Sequence, residues 1–431
     1  MKTGWETYLD ELAVFGMRPG LERVRALLGA LGHPERHYRA VHVVGTNGKS
    51  STARYVAALL RAHGLRTGAY LSPHLTGYAE RLLLDGAPID AGALGRAVER
   101  VRGEITQLPQ ELGETTQFEV LTVAALLAMA EAGVQVGVVE AGLGGRLDAT
   151  NVFAAPVVVL TNVALEHTEV LGSTREAIFA EKAAVIDGGD AVFGPLDGLE
   201  PLAMQRCART GAAGHYWGAE VRAEGGPEDF AVELRDTHGR RRYARLRLPT
   251  PAGYQVANAA LATAAADLLL GGLNEELVRT ALAAAVVPGR LQLVRREPLV
   301  IADGAHNPHG MAALAASLEA VPRPAPRVAV FAMMRDKAVA DVLALALPLA
   351  DHVVCTSAAQ PRSLMAHELA GWVRRVARDD TLSVDAVQDP RDAYRHAVQV
   401  AGAAGSVLVT GSLYLLEDLA TTLAGEGGED G

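Results

Sequence analysis

Cysteine is nearly absent. Cys207 and Cys355 are the only two in 431 residues, far apart and without metal-ligand spacing. That argues against a disulfide scaffold and a thiolate metal centre, and it fits a reducing compartment. Aromatic residues make up only 5% of the chain, against 45 glycines, a composition suited to helices packed closely on a sheet. A basic surface is also missing. Forty Lys and Arg against 50 Asp and Glu leave a formal charge of -10, which disfavours nucleic-acid binding because that needs a continuous basic face. Any anionic ligand must therefore be met by local positive groups. The start, "MKTGWETYLDELAVFG", has acidic residues and no apolar leader core. The longest apolar stretch, residues 120–145, is broken by Glu131 and Glu140 and by glycines before it can span a bilayer. It reads as a buried helix followed by a buried strand. A cytoplasmic protein is expected, with neither nucleic acid nor membrane as partner. No amphipathic surface helix asks for a second copy, so a monomer is expected.

What the chain does have is alternation. From residue 41 onward, short β-branched runs alternate with longer helical patterns, the pattern of βαβ units in a mostly parallel sheet. Strands are expected at "AVHVV", "GAYL", "VGVVE", "PVVVLTN" and "DAVFG". Residues 228–248 change character: two alternating segments flank "DTHGR", predicting an antiparallel hairpin. Two helices follow, the second capped by Asn274. The alternation restarts at "RVAVFAMM", "DHVVCTS" and "SVLVTGS". The division expected is a domain over 1–289, a linker over 290–298 and a second α/β domain over 299–431. The terminal "AGEGGEDG" is expected to be a flexible acidic tail.

The stretch "HVVGTNGKSST" (42–52) approximates a phosphate loop, but Val43 stands where the usual eight-residue spacing would put the first glycine. Gly45 and Gly48 alone could form an ordinary turn. A turn into a helix, however, does not need Lys49 followed by three hydroxyl residues, Ser50, Ser51 and Thr52. Backbone N–H groups, a helix N-terminus and a lysine together make a phosphate cradle.

In open parallel sheets, ligands collect beyond the carboxyl ends of the strands. Here those ends offer Ser72, Glu140 and His167 in turn. Each alone has a bland reading as turn punctuation, an exposed strand end or a helix cap. Together, a hydroxyl, a carboxylate and an imidazole can converge on a hard cation, Mg²⁺ or Mn²⁺. The run "GLGGRLDATN" (142–151) adds close backbone approach through its glycines and charge from Arg146 and Asp148. From spacing alone, Lys182 in "FAEKAAVI" reads as a solvated lysine on a helix.

The ordered set "FGMRPGLERVRALLGALGHP", "GTNGKSS", "YLSPHL", "ERLLLDGAPI", "EAGLGGRLDATN", "LEHTEVLG", "EKAAVI", "PGRLQ", "DGAHNPHG", "MMRDKAVADVL" and "GSLYLLEDL" resembles, nearly end to end, the folylpolyglutamate synthase and dihydrofolate synthase family within the Mur ligase class. The resemblance implies an α/β fold: a P-loop, Mur-ligase-like ATP-binding domain with a mostly parallel sheet, plus a smaller Rossmann-like C-terminal domain. That family's loop is a compact G-T-N-G-K-[GS]-S, which accounts for Val43. The resemblance places Gly48, Lys49 and Ser51 on the ATP phosphates, with Thr46, Asn47 and Ser50 also in the nucleotide-binding loop. It makes Ser72, Glu140 and His167 ligands of Mg²⁺, with two metal sites, and Lys182 a carbamylated lysine helping to hold the second. It puts Asp303 and His306 where amino acid and nucleotide meet, and Asn258 and Arg290 near the nucleotide at the domain interface. Lys49, Lys182, Asp303 and His306 are then the candidate catalytic residues.

Four positions depart from the family pattern: Ser50 for a second loop glycine, Ala141 for valine, Glu166 for the aspartate before the histidine, and Ala183-Ala184 after the lysine. None removes a group the chemistry needs. The implied reaction joins L-glutamate to dihydropteroate or to a reduced folate at the expense of ATP, through an acyl phosphate, with closure near residue 290. A Mur-type UDP-sugar-peptide ligase is the main rival, but only 44 residues precede Gly45, too few for a UDP-binding domain. A silent nucleotide-binding module would be expected to have lost metal or transfer residues, and all are present.

Overall fold

A computed structural model describes residues 3–12, 20–74, 76–237, 239–377 and 381–426. Residues 13–19, which carry most of the "FGMRPG" motif, Leu75 of "YLSPHL", His238 in the hairpin turn and the last five residues of the expected tail lie outside them. The helix Leu413–Glu426 takes in the first three residues of that tail.

The chain forms two compact units. One comprises Met1–Arg247 with Gln255–Ala285, the other Leu248–Tyr254 with Val286–Gly431. The first is built on eight strands: β1 (Arg39–Val44), β2 (Thr67–Tyr70), β3 (Leu82–Leu84), β4 (Ala87–Pro88), β5 (Val136–Glu140), β6 (Val157–Leu160), β7 (Asp190–Phe193) and β8 (Ala213–Tyr216). Their order in the sheet is β4-β3-β2-β5-β1-β6-β7-β8, all running in one direction except β3, which is antiparallel to both its neighbours. The central strands are buried throughout, which is why they read as unbroken β-branched runs rather than alternating ones. Register matters for the site. Val43 pairs with Glu140 and Val44 with Leu160, so the chain leaving β1 emerges between the ends of β5 and β6.

The helix Gln117–Glu131 is apolar nearly all round and buried along most of its length. Its capping box does two jobs. Glu119 accepts from the Thr116 backbone at 2.8 Å and also holds Arg23 through a buried pair at 2.7 Å. This ties the N-terminal helix Glu22–Ala30 to the core. The expected hairpin is part of a three-stranded antiparallel sheet, β9 (Val221–Gly226), β10 (Asp229–Asp236) and β11 (Gly239–Leu246). Asn274 caps its helix, accepting from the Glu276 and Leu277 N–H groups.

The second unit has six strands: β12 (Gln292–Arg296), β13 (Leu299–Ala302), β14 (Arg327–Phe331), β15 (His352–Cys355), β16 (Ser383–Ala386) and β17 (Ser406–Thr410). They are ordered β12-β13-β17-β14-β15-β16, all parallel except β12 at one edge. Most of the segment 290–298, expected to link the domains, thus forms an edge strand of this sheet. Cys207 and Cys355 are free and buried, one in each unit. Among the described residues no helix is long and apolar enough to cross a membrane.

Candidate active site

The loop after β1 is braced against the end of β6 by its own backbone. Thr46 N–H donates to the Asn162 carbonyl and Asn47 N–H to Asn162 Oδ1, both at 3.0 Å. The Asn47 carbonyl accepts from Thr161 Oγ1 at 2.6 Å and from Asn162 Nδ2 at 3.0 Å. Thr46 Oγ1 accepts from Ala164 N–H at 3.1 Å. Thr46 is buried, and its hydroxyl is committed to holding the loop.

Gly48, at φ 82°, turns the chain into the helix Lys49–Ala62 and offers no side-chain cap. A Cβ there would come within 2.3 Å of Asn258 Oδ1. Only glycine therefore allows both the turn and the approach of Asn258. The first N–H groups of this helix point out of its N-terminus, the arrangement that receives an anion.

Two lysines bear on the loop. Lys49 Nζ donates to the Thr46 carbonyl at 3.0 Å, and Lys182 Nζ to the Gly45 carbonyl at 2.7 Å. The helix Arg175–Ala183 carries Lys182 inward, contrary to the solvated lysine expected from spacing: it is only 5% exposed. Gly145 explains how the helix comes so close, since a Cβ there would meet the carbonyls of Glu181 and Lys182 at 2.8 Å. Burial, reinforced by the Lys49 charge and opposed by Glu166 and Asp148, lowers the Lys182 ammonium to about 7.

Glu140 closes β5, buried at 1% exposure. Its Oε1 accepts from Ser50 Oγ at 2.9 Å and its Oε2 from Ser72 N–H at 3.0 Å. Ser50 Oγ also lies 3.4 Å from the Ser72 carbonyl. The strand ends of β1, β2 and β5 thus bring Ser50, Ser72 and Glu140 together. A buried carboxylate at these strand ends is an oxygen donor that suits a hard divalent cation. His167 lies on the chain leaving β6, in a left-handed backbone conformation at φ 51°, and starts the short helix Thr168–Leu171.

Ser51 faces the other way. Its Oγ is buried and accepts from Gln255 Nε2 at 3.1 Å, and Gln255 Oε1 in turn accepts from Asn258 Nδ2 at 2.9 Å. Gln255, three residues before Asn258 on the helix Tyr254–Leu270, escaped the sequence reading. Its signal was the i, i+3 pairing of two amides in the first turns of a largely apolar helix. Asp148 and Arg146, offered above as charge for the site, are occupied elsewhere. Asp148 accepts from Leu143 N–H at 2.8 Å and Thr150 N–H at 3.0 Å, shaping its own glycine loop. Arg146 pairs with Glu181 at 2.8 Å.

In the second unit, Asp303 follows β13 and is 2% exposed. Its Oδ2 accepts from Tyr254 Oη at 2.7 Å and Leu291 N–H at 2.8 Å, and its Oδ1 from Ala305 N–H at 2.8 Å. His306 Nδ1 lies 2.8 Å from the Gly304 carbonyl, so that nitrogen carries a proton. Arg290 packs beside Gly304, where a Cβ would fall 2.6 Å from a guanidinium nitrogen. Arg290, Asp303 and His306 therefore form one group, in the second unit. Gly48, Lys49, Ser50, Ser51, Ser72, Glu140, Lys182 and Asn258 form the other, in the first.

Residues 43–266 match the Mur ligase middle domain, and residues 289–413 the glutamate ligase domain of Mur ligases. The chain is 36% identical to the dihydrofolate synthase/folylpolyglutamate synthase of Mycobacterium tuberculosis, over 82% of this chain and 77% of that one. The folylpolyglutamate synthase of M. tuberculosis, solved with ADP and AMPPCP, superposes with a TM-score of 0.89 at 33% identity, covering 99% of this chain and 98% of that one. A bifunctional folylpolyglutamate synthase/dihydrofolate synthase solved with Mn, AMPPNP and L-glutamate bound gives a TM-score of 0.83 at 31% identity, with 97% of each chain covered.

Proposed function

The chain belongs to the dihydrofolate synthase/folylpolyglutamate synthase family of Mur ligases and is an ATP-dependent glutamate ligase; from that premise we propose that it acts on both dihydropteroate and reduced folates. The observation that carries the catalytic part of this reading is the convergence of Lys49, Lys182 and the uncapped start of the helix Lys49–Ala62 on one loop, next to buried Glu140.

The helix N–H groups and Lys49 bind the ATP phosphates, Lys49 exchanging the Thr46 carbonyl for phosphate oxygen. Glu140, with Ser72 and His167, would hold the divalent cation. When bound, Mg²⁺ neutralises charge on the phosphate oxygens. The substrate carboxylate attacks the γ-phosphorus, the bridging P–O bond to ADP breaks, and an acyl phosphate forms. The glutamate amine then attacks the acyl carbon, an amide forms and phosphate leaves. Asp303 fixes the turn that presents His306, whose ring is oriented by the Nδ1–H bond to the Gly304 carbonyl. Positioning and electrostatic stabilisation account for most of the rate in such transfers.

We extend the proposal to Lys182. Depressed to about 7, its amine is neutral in useful fraction near neutral pH and can add CO₂ to give a carbamate and a proton. That anion provides for a second cation. A monomer in the cytoplasm completes the reading. The test is ATP-dependent incorporation of labelled glutamate with dihydropteroate and tetrahydrofolate offered separately. Incorporation into both is expected. Incorporation into one alone would restrict the activity, and into neither would refute it.

A further inference from the structure

On the second unit, two histidines share one carboxylate oxygen. His352 opens β15, Asp385 is the third residue of β16, and His396 lies on the helix Pro390–Ala401. In the parallel register His352 pairs with Ser383, and Asp385 is two residues further along, so the His352 and Asp385 side chains leave the same face of the sheet. The helix packs there through Ala393 and Ala397, and places His396 above them. His352 Nε2 lies 2.9 Å from Asp385 Oδ2, and His396 Nε2 lies 2.7 Å from the same atom. The three ligand atoms all fall within 4.8 Å of one another. The rings stand 6.3 Å apart at 75°, so both present Nε2 to a common point without stacking.

We propose that His352, Asp385 and His396 form a binding site for a transition-metal dication of the Zn²⁺ or Co²⁺ type. Two imidazole nitrogens and one carboxylate oxygen make the donor set of a three-ligand tetrahedral site with a fourth position left for water. Metal–ligand bonds of about 2.0–2.2 Å at tetrahedral angles put neighbouring ligand atoms roughly 3.3 Å apart. The present separations of 2.7 and 2.9 Å therefore need to open by only about half an ångström, within the reach of side-chain rotation. In the metal-free state a proton on each Nε2 bridges to Asp385; a cation would take the place of both, each neutral imidazole then carrying its proton on Nδ1. Imidazole donors select borderline cations over Mg²⁺, which separates this site from the oxygen donors around Glu140. Entry is open, because the His396 and Asp385 side chains keep 38% and 42% of their exposure. His352 begins β15 whereas Asp303 follows the end of β13, so the cluster lies toward the opposite edge of this sheet from the Asp303–His306 group. Its consequence is structural: the cation would tie the short edge strand β16 to its neighbour and to the covering helix.

The test uses the full chain, stripped with chelator and titrated with Co²⁺ in saturating Mg²⁺, reading the visible d–d absorption of tetrahedral Co²⁺. Wild type should develop that spectrum with one Co²⁺ per chain. His396→Gln and the double variant His352→Gln/His396→Gln should bind at least about tenfold more weakly and lose the tetrahedral band. Thermal melts with and without Zn²⁺ read the same site independently: Zn²⁺ should raise the Tm of wild type and leave His396→Gln unmoved. A wild-type titration indistinguishable from that of the double variant would overturn the proposal and leave the cluster a hydrogen-bonded strut.

Discussion

Replacing Lys182 with methionine should remove a pH dependence of stability whose size follows from the lysine's surroundings. Its ammonium is almost fully buried, sits near the Lys49 charge, and is lowered from 10.5 to about 7 in the folded protein. Between about pH 7 and 10.5 the unfolded chain binds a proton at this position that the folded chain does not. Stability therefore rises with pH across that window, and the full penalty applies below about 7. At about 1.4 kcal/mol for each pH unit, flattening near 7, the contribution grows by about 2 kcal/mol from about pH 7 to about pH 9. Lys182→Met keeps the volume and lacks the titration. Urea unfolding of both proteins, followed by a probe in the first unit, in bicarbonate-free buffer, should give a wild-type stability that gains about 2 kcal/mol on the variant over that range. The constant offset between the two also contains the lost hydrogen bond to the Gly45 carbonyl, so the slope is the readout. Parallel pH profiles would show that the buried ammonium is not paying a desolvation cost, and would remove the basis for a neutral amine at neutral pH.

Two further substitutions test the loop. Ser50→Ala removes the donor on Glu140 Oε1, a hydrogen bond to a charged group worth about 1.5–3 kcal/mol. The metal-free protein should lose stability, while Mn²⁺ binding followed by EPR should tighten several-fold because the carboxylate no longer surrenders that bond; weaker Mn²⁺ binding would instead mean that the hydroxyl helps hold the ion. Gly48→Ala forces a Cβ into a left-handed conformation at a cost of about 1–2 kcal/mol, and against Asn258 as well. Isothermal titration should show much weaker ADP binding, and adding Asn258→Ala should restore only part of it, since the second change relieves the clash but not the strain.

The parallel architecture was legible because its central strands are buried on both faces and so appear as unbroken β-branched runs. Strand β16, with half-exposed Ser383–Ala386, carries no such run and went unread. The segment around residue 290 looked like a linker because Pro288 and Gly289 precede it, but Leu291 and Val294 are buried and β12, which contains Val294, pairs with β13. At the site, Lys49, Ser72 and Glu140 were visible because strand ends can be located from pattern alone. Lys182 was misjudged from spacing because what buries it is a glycine 37 residues upstream, Gly145, which lets its helix approach. Ser50 looked like a neutral departure from a family pattern, and its bond to Glu140 depends on a register between β1 and β5 that sequence does not state.

In the proposed reaction the substrate carboxylate is activated by phosphoryl transfer before glutamate adds. Its most direct test is turnover of substrate labelled with ¹⁸O in the carboxylate, followed by mass analysis of the released phosphate. One ¹⁸O is expected in each phosphate formed with each amide bond. Phosphate released without label while glutamate is incorporated would contradict it.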